Sequence, residues 1–384
     1  MVDIHAEPGT ARTLADQGTV TLFLCGDVMT GRGIDQVLPH PGDPQIYESY
    51  MKSARGYVEI AERDHGPIPR PVSFDYIWGD ALAELERVSP HARVINLETS
   101  ITAHDEPWPD KGINYRMHPD NVPCLSALKV DCCALANNHV MDWGRAGLTD
   151  TVKFLQEAGV ATAGAGENLA HAQAPAIVPL SEHGRLLVFS VGTASSGIPA
   201  DWAAADQRAG VYFLTDPSRR EADELAEQIR RVKQPGDIAL ASIHWGGNWG
   251  YGIPQEQRDF AHDLIDYAGI DIVHGHSSHH PRGIEIYNDR AILYGCGDFI
   301  NDYEGFSGKE HFRPDLVLMY FPTLSADSGK LLGLELTALQ IRRFRLQYAN
   351  EKDTQWLAGV LDREGARMGS GASVTEDRRI RLHR

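Results

Sequence analysis

A chain of 384 residues can bury one large hydrophobic core or two ordinary ones, so folding here requires neither disulfides nor a metal. Its formal net charge of -17 repels phosphate backbones and anionic lipid, which excludes general binding to nucleic acid or membrane surfaces. The five cysteines are odd in number and lack a framework spacing, so Cys25, Cys124, Cys132, Cys133 and Cys296 are expected as reduced core residues. No basic start leads into an apolar stretch, and no apolar run is long enough to cross a bilayer. A soluble, cytoplasmic protein without a membrane partner is expected.

Short apolar runs recur along the chain and end in polar or glycine residues. In order they are TVTLFLCGD (19–27), ARVINLE (92–98), VDCCALANNH (130–139), RLLVFSV (185–191), DIALASIHWG (237–246), DIVHGH (271–276), RAILYGCGDF (290–299) and DLVLMYF (315–321). Each reads as a buried strand. Helical patterns with apolar residues at three-to-four spacing lie between them, at 78–88, 147–159, 220–233 and 254–269. The class is therefore α/β. After residue 290 the runs follow one another with little helix between, and 330–348 looks like paired strands, which predicts a mixed sheet, or two packed sheets, rather than a purely parallel one. Residues 1–19 are expected as an N-terminal extension and 20–350 as the main domain. Residues 39–73 look like a surface insertion bordering the site, and 351–384 like a solvated tail.

Polar residues gather at the ends of the strand-like runs, where α/β proteins bind ligands. Asp27, Glu98, Asn137, Asn138, His139, His244 and His276 are so placed. Singly, each has an ordinary reading as a cap, a turn residue or a hydrogen-bonded core group. Together they combine carboxylate oxygen, amide oxygen and imidazole nitrogen without thiolate, a set suited to zinc, manganese or iron. In VHGHSSHHPRGIE (273–285), Gly275 is expected to allow a sharp turn after the strand. His276 and His279 then bring two nitrogens to one ion, and Pro281 stiffens the exit. His274 is expected to point elsewhere, and His280 to face substrate. The alternative is a chance cluster on a solvated loop.

The motifs GDVMTGR, NLET, LANNHVMDWG, IHWGGNW, GHSSHHPRGIE and LYGCGDFI, in this order across residues 20–322, resemble the CapA-type poly-gamma-glutamate capsule biosynthesis proteins of the calcineurin-like metallophosphoesterase superfamily. The resemblance implies a metallo-dependent phosphatase-like sandwich of two mixed β-sheets flanked by helices, with one or two divalent ions at the strand ends. It implies Asp27, Glu98, Asn138, His244, His276 and His279 as ligands, His139 as the catalytic histidine near the leaving group and Asp142 as the group orienting it. Three features depart from the superfamily pattern. Met29 stands where Asp-x-His has its histidine, NLE replaces Gly-Asp-x-x-Asp, and two residues rather than one separate His276 from His279. Asp298, in GDF where GNF is usual, either adds a carboxylate or satisfies a turn.

Arg32 is a candidate clamp for a carboxylate or phosphate, or else an ion-pair residue, and His280 and Arg282 join it as substrate-binding candidates. Trp245 and Trp249 are expected to pack. The function expected from these readings is metal-dependent hydrolysis of a phosphoester or amide-type bond in a small-molecule, glutamyl or peptide-like substrate. The alternatives are a non-catalytic accessory subunit in capsule assembly and a metal-assisted amide-forming tailoring enzyme.

Overall fold

The computed structural model describes residues 18–384, so most of the expected N-terminal extension lies outside the described residues. Two large sheets carry the fold. A ten-stranded sheet runs in the order Gly371–Val374, Ile380–His383, Leu331–Ile341, Leu316–Ser325, Thr19–Val28, Ala92–Leu97, Cys132–Ala134 and Ala161–Ala163. Asp298–Ile300 also pairs with Thr19–Val28, and Leu346–Tyr348 with Leu331–Ile341. From Thr19–Val28 toward Ala161–Ala163 the pairings are parallel, because helices Asp80–Val88 and Pro123–Leu128, with Gly144–Glu157 before the last strand, form the crossovers. On the other side, from Thr19–Val28 through Leu316–Ser325 to Gly371–Val374, they are antiparallel, and two of these pairs, Leu316–Ser325 with Leu331–Ile341 and Gly371–Val374 with Ile380–His383, join strands consecutive in the chain.

The second sheet has seven strands. Its centre, Arg185–Thr193, Ile238–His244, Ile272–His276 and Arg290–Leu293, is parallel, and Ala176–Pro179 and Ile284–Tyr287 add antiparallel neighbours. Side chains alternate along each strand. Leu22, Leu24, Val94 and Cys132 of the first sheet share a buried cluster with Val188, Leu240, Ile272 and Leu293 of the second. Phe23, Ile95 and Cys133 face the helices of one side, while Phe189, Ala241 and Val273 face helices Arg219–Val232 and Gln255–Asp263 on the other. The result is the expected sandwich of two mixed sheets between helical layers. All five cysteines are free and buried.

Helix Arg219–Val232 illustrates how local sequence sets an element. The Ser218 hydroxyl accepts from the Glu221 backbone N–H at its start, and Ala222, Leu225, Ala226 and Ile229 form one buried stripe. Fully burying a side chain such as Leu225 contributes about 1.5–3 kcal/mol.

Two expectations about the ends of the domain are corrected. Residues 351–384 are not a solvated tail. Asn350 caps helix Glu351–Gly365, whose Leu357 and Leu361 are buried, and Ile380 pairs with Leu336 to extend the ten-stranded sheet. The apolar spacing of 357, 358 and 361 carries that signal, diluted by the charged residues around it. The 39–73 insertion is likewise more than a surface excursion, since helix Arg55–His65 buries Tyr57, Val58 and Ala61 and carries its chain back into the core through Ile68 and Val72. Among the described residues no helix is long and apolar enough to cross a membrane.

Candidate metal centre

The carboxyl ends of four parallel strands and the amino end of Asp298–Ile300 converge on one buried cluster. Thr19–Val28 delivers Asp27, whose Oδ1 accepts from Asn96 Nδ2 at 2.7 Å and whose Oδ2 accepts from the Ser277 backbone N–H at 3.1 Å. The register of the two sheets sets the rest: Asp27 stands beside Asp298, and His244 beside His276. Two groups of three result, Asp27 with His244 and His276, and Asp27 with His279 and Asp298. In each, one ligand atom per residue lies within 4.8 Å of the others.

His276 and His279 thus fall in different groups that share Asp27, rather than side by side at one ion. The turn that separates them is also not where it was expected. Gly275 lies inside strand Ile272–His276, where a Cβ would meet the Leu293 carbonyl oxygen at 2.6 Å and Trp245 Nε1 at 2.7 Å. Its role is close approach. The chain turns at Ser277, which takes φ 99°.

In the first group His244 Nδ1 and His276 Nδ1 are 2.8 Å apart. His276 Nε2 is 2.8 Å from Ser242 Oγ, and His244 Nε2 is 3.0 Å from Asn138 Oδ1. When both Nε2 atoms donate to these oxygens, two Nδ1 lone pairs converge, an arrangement that a shared cation relieves. Glu98 stands next to this group, with Oε1 3.8 Å from His244 Nε2 and 3.7 Å from His139 Nε2. Its Oε2 is buried without a hydrogen-bond donor among the described residues. In the second group His279 Nδ1 is 2.8 Å from Asp298 Oδ1, and Asn301 Nδ2 donates to Asp298 Oδ2 at 2.7 Å. Asn248 Nδ2 lies 3.1 Å from His279 Nε2.

The electrostatics follow from burial. Burial and then the facing Asp298 push the Asp27 carboxyl up to about 7, and burial and then Asp27 raise Glu98 well above the usual range. Burial lowers His244 and His276. For His279 burial acts the same way, but Asp298 outweighs it and the imidazole is raised. Carboxylates crowded together out of water favour a bound cation.

His139 and Asp142 form the neighbouring pair. His139 Nδ1 is 2.6 Å from Asp142 Oδ2, which also accepts from the Tyr115 backbone N–H at 2.6 Å. Burial holds His139 down at about 4 despite Asp142. Asn137 takes no part as a ligand. It donates to Asn96 and Leu97 and accepts from the His139 and Val140 backbone, tying the turn to its strand. A cavity of about 170 Å³ lies over the cluster, lined by Glu98, Asn138, His139, Asn248, His279 and Tyr303 among others.

The three substrate-binding candidates sit elsewhere. Arg32 is buried, its guanidinium bonded to both carboxylate oxygens of Asp302, to Glu48 Oε1 at 2.7 Å and to Tyr57 Oη at 2.8 Å. It stacks on Tyr57 and Tyr115, so it serves as a buried ion-pair residue behind the wall of the site. His280 Nε2 accepts from the Gly250 backbone N–H, and its ring stacks on Phe312 at 4.4 Å. Arg282 Nη2 donates to the Gly247 carbonyl oxygen at 2.6 Å, supporting the loop that carries Asn248. His274 points between the sheets, with Nε2 2.6 Å from the Cys25 carbonyl oxygen. Trp245 is buried, and Trp249 lies against His279 and His280. Sequence reasoning missed Asn96, Lys111, Asn248 and Asn301. Asn96 and Asn248 stood inside quoted motifs, whereas Lys111 comes from an irregular loop that offers no periodic signal.

The family model described as "Bacterial capsule synthesis protein PGA_cap" matches residues 21–303. A probable polyglutamine synthesis accessory protein of Mycobacterium tuberculosis is 52% identical over 351 residues, spanning 91% of this chain and 92% of its own length. The PGA biosynthesis protein CapA of Bacillus subtilis is 27% identical over 299 residues, 77% of this chain and 67% of that protein. The capsule biosynthesis protein CapA of Bacillus anthracis is 24% identical over 293 residues, 74% and 60% respectively. With most of its length matched and with these mixed sheets, the chain belongs to the bacterial capsule synthesis protein family and has its metallophosphoesterase-like fold.

Proposed function

We propose that the protein is a metal-dependent hydrolase acting on a phosphoester or amide-type bond in a small, glutamyl or peptide-like substrate. The observation that carries this reading is the sharing of Asp27 by two groups of ligand atoms under a cavity of about 170 Å³. The side chains fit divalent cations. Their donors are nitrogen and oxygen without thiolate, suiting manganese, zinc or iron, and Glu98 Oε2 is a buried acceptor with no donor among the described residues. One ion would be held by Asp27, His244 and His276 with Glu98 and Asn138 beside it, and a second by Asp27, His279 and Asp298.

Cations held there supply Lewis acidity, polarising the oxygen of the bond under attack and lowering the pKa of water toward ~7. The protein's own groups place the proton. Asp142 accepts the Nδ1 hydrogen of His139, which leaves the Nε2 lone pair of His139 at the cavity wall to take a proton from the attacking water and pass it to the leaving group. The cavity is smaller than the ~300–1,000 Å³ of typical ligand pockets, so it accommodates the reacting group and its immediate neighbours while the rest of the substrate lies outside.

The name of the Mycobacterium tuberculosis relative favours a second reading, a non-catalytic accessory role in polymer synthesis. Elemental mass spectrometry on the wild type and on the His276→Ala, His279→Ala double variant separates the two when followed by a screen of phosphoesters and glutamyl amides. Stoichiometric metal and turnover, both lost in the double variant, are the expected result. Bound metal without turnover on either substrate class supports the accessory role. Folded protein that cannot be loaded with manganese, iron or zinc refutes the metal centre and the hydrolase together.

A further inference from the structure

One side chain stands out in the cavity over the two ligand groups. Among the described residues, Lys111 is the only lysine or arginine that lines it. Its Nζ lies 2.6 Å from Asp142 Oδ1, 3.2 Å from the Ile113 carbonyl oxygen and 3.1 Å from His139 Nδ1. An ammonium group carries three N–H donors and no acceptor. The Ile113 carbonyl oxygen occupies one of them, and Asp142 Oδ1 pairs with the charge at close range without hydrogen-bond geometry. The third contact is not a hydrogen bond in the tautomer that the geometry favours. His139 Nδ1, 2.6 Å from Asp142 Oδ2, already carries the hydrogen that Asp142 accepts and has no lone pair for Lys111. At least one ammonium donor therefore has no protein acceptor, on a side chain that is 15% exposed at the cavity wall.

The loop holds this cation in place before any ligand arrives. The Trp108 backbone N–H donates to the Asp142 carbonyl oxygen at 2.7 Å, and the Tyr115 backbone N–H to Asp142 Oδ2 at 2.6 Å, so the segment is tied to Asp142 on both sides of Lys111. Little side-chain ordering remains to be done on binding. Because the protein is strongly acidic overall, an anionic ligand needs a local cation at the point of contact, and Lys111 supplies it.

We infer that Lys111 is the specificity-determining residue of the cavity, donating a free N–H to an oxyanion of the ligand, either a carboxylate or a phosphoryl oxygen. The inference rests on the reading of this cavity as the substrate site. It assigns recognition to a single point charge rather than to a bidentate clamp, which accords with Arg32 being occupied by Asp302 and Glu48.

The test is calorimetric titration of inorganic phosphate and of γ-L-glutamyl-L-glutamate into manganese-supplemented wild type, Lys111→Met and Lys111→Arg, with metal content measured on each. Wild type is expected to bind one of the probes, and the preferred probe tells phosphoryl from carboxylate recognition. Lys111→Met weakens that binding about 10- to 100-fold, the loss of one charge-assisted hydrogen bond, and Lys111→Arg weakens it less. Equal affinity in wild type and Lys111→Met overturns the inference, as does a metal-bearing wild type that binds neither probe. A metal-free wild type whose anion binding still depends on Lys111 supports the inference while removing the metal centre. Should Lys111→Met fail to fold, amine acetylation of the wild type followed by peptide mass spectrometry replaces it. The bound probe must then slow modification of Lys111 and leave that of exposed Lys153 unchanged, and equal rates at Lys111 with and without probe overturn the inference.

Discussion

Replacing Arg32 by methionine removes a cation whose partners have no access to water. The side chains of Asp302 and Glu48 are fully buried, and Asp302 Oδ2 already accepts from the Gly33 backbone N–H. Breaking a buried ion pair from one side costs about 3–5 kcal/mol, because the remaining charge is left desolvated. Two carboxylates lose their partner at once here, and the guanidinium also leaves the faces of Tyr57 and Tyr115, so the upper end of about 5 kcal/mol is expected. That is a large part of the roughly 5–15 kcal/mol by which a domain is stable. The Arg32→Lys variant keeps the charge, but an ammonium cannot bond both oxygens of Asp302 and Glu48 together, and its cost falls between. Urea unfolding followed by tryptophan fluorescence measures both. A stability within about 1 kcal/mol of wild type for Arg32→Met, combined with lost ligand binding, would refute the structural role and restore Arg32 as a substrate clamp.

Gly275→Ala places a Cβ against two carbonyl oxygens and the Trp245 indole nitrogen, so a loss of about 1–3 kcal/mol or more is expected, with a fall in bound metal as His276 shifts; thermal melting and elemental mass spectrometry read the two effects. Deleting residues 351–384 strips away Leu357, Leu361 and Ile380, worth about 5–9 kcal/mol at about 1.5–3 kcal/mol each. The truncated protein should bind a hydrophobic dye and lose near-ultraviolet dichroism, and a cooperative native-like melt would show the C-terminal segment to be dispensable. Asp289 is held down to about 2 by Arg384 and then Lys330. Because its native pKa is depressed, its contribution to stability is present above the ordinary carboxylate range and is lost as the pH falls toward 2. Carboxyl NMR should place its titration there, and removal of Arg384 should move it upward.

Much of the fold was legible in the residues alone. The runs around Leu22, Val94, Val188, Leu240 and Ile272 are short, apolar and bounded by glycine or charge, and each became a strand of one of the two sheets. Residues 351–384 misled because a polar composition hides a three-residue apolar stripe that matters only once a sheet edge is present to receive it. The candidate ligands were legible as residue types at strand ends. Their grouping was not, since it depends on which strands are neighbours.

The sequence by itself determined the α/β class, the short apolar runs that become the strands, and the set of carboxylate, amide and imidazole groups at their ends, because these follow from local periodicity and from residue chemistry, whereas the sandwich of two mixed sheets was implied only by the family resemblance. Only the tertiary structure decided that Asp27 stands between two groups, that His276 and His279 part company at Ser277, that Arg32 is occupied by Asp302, and that Lys111 reaches the cavity. Those facts depend on strand register and on contacts between residues such as Arg32 and Asp302, 270 positions apart in the chain, which no local pattern encodes.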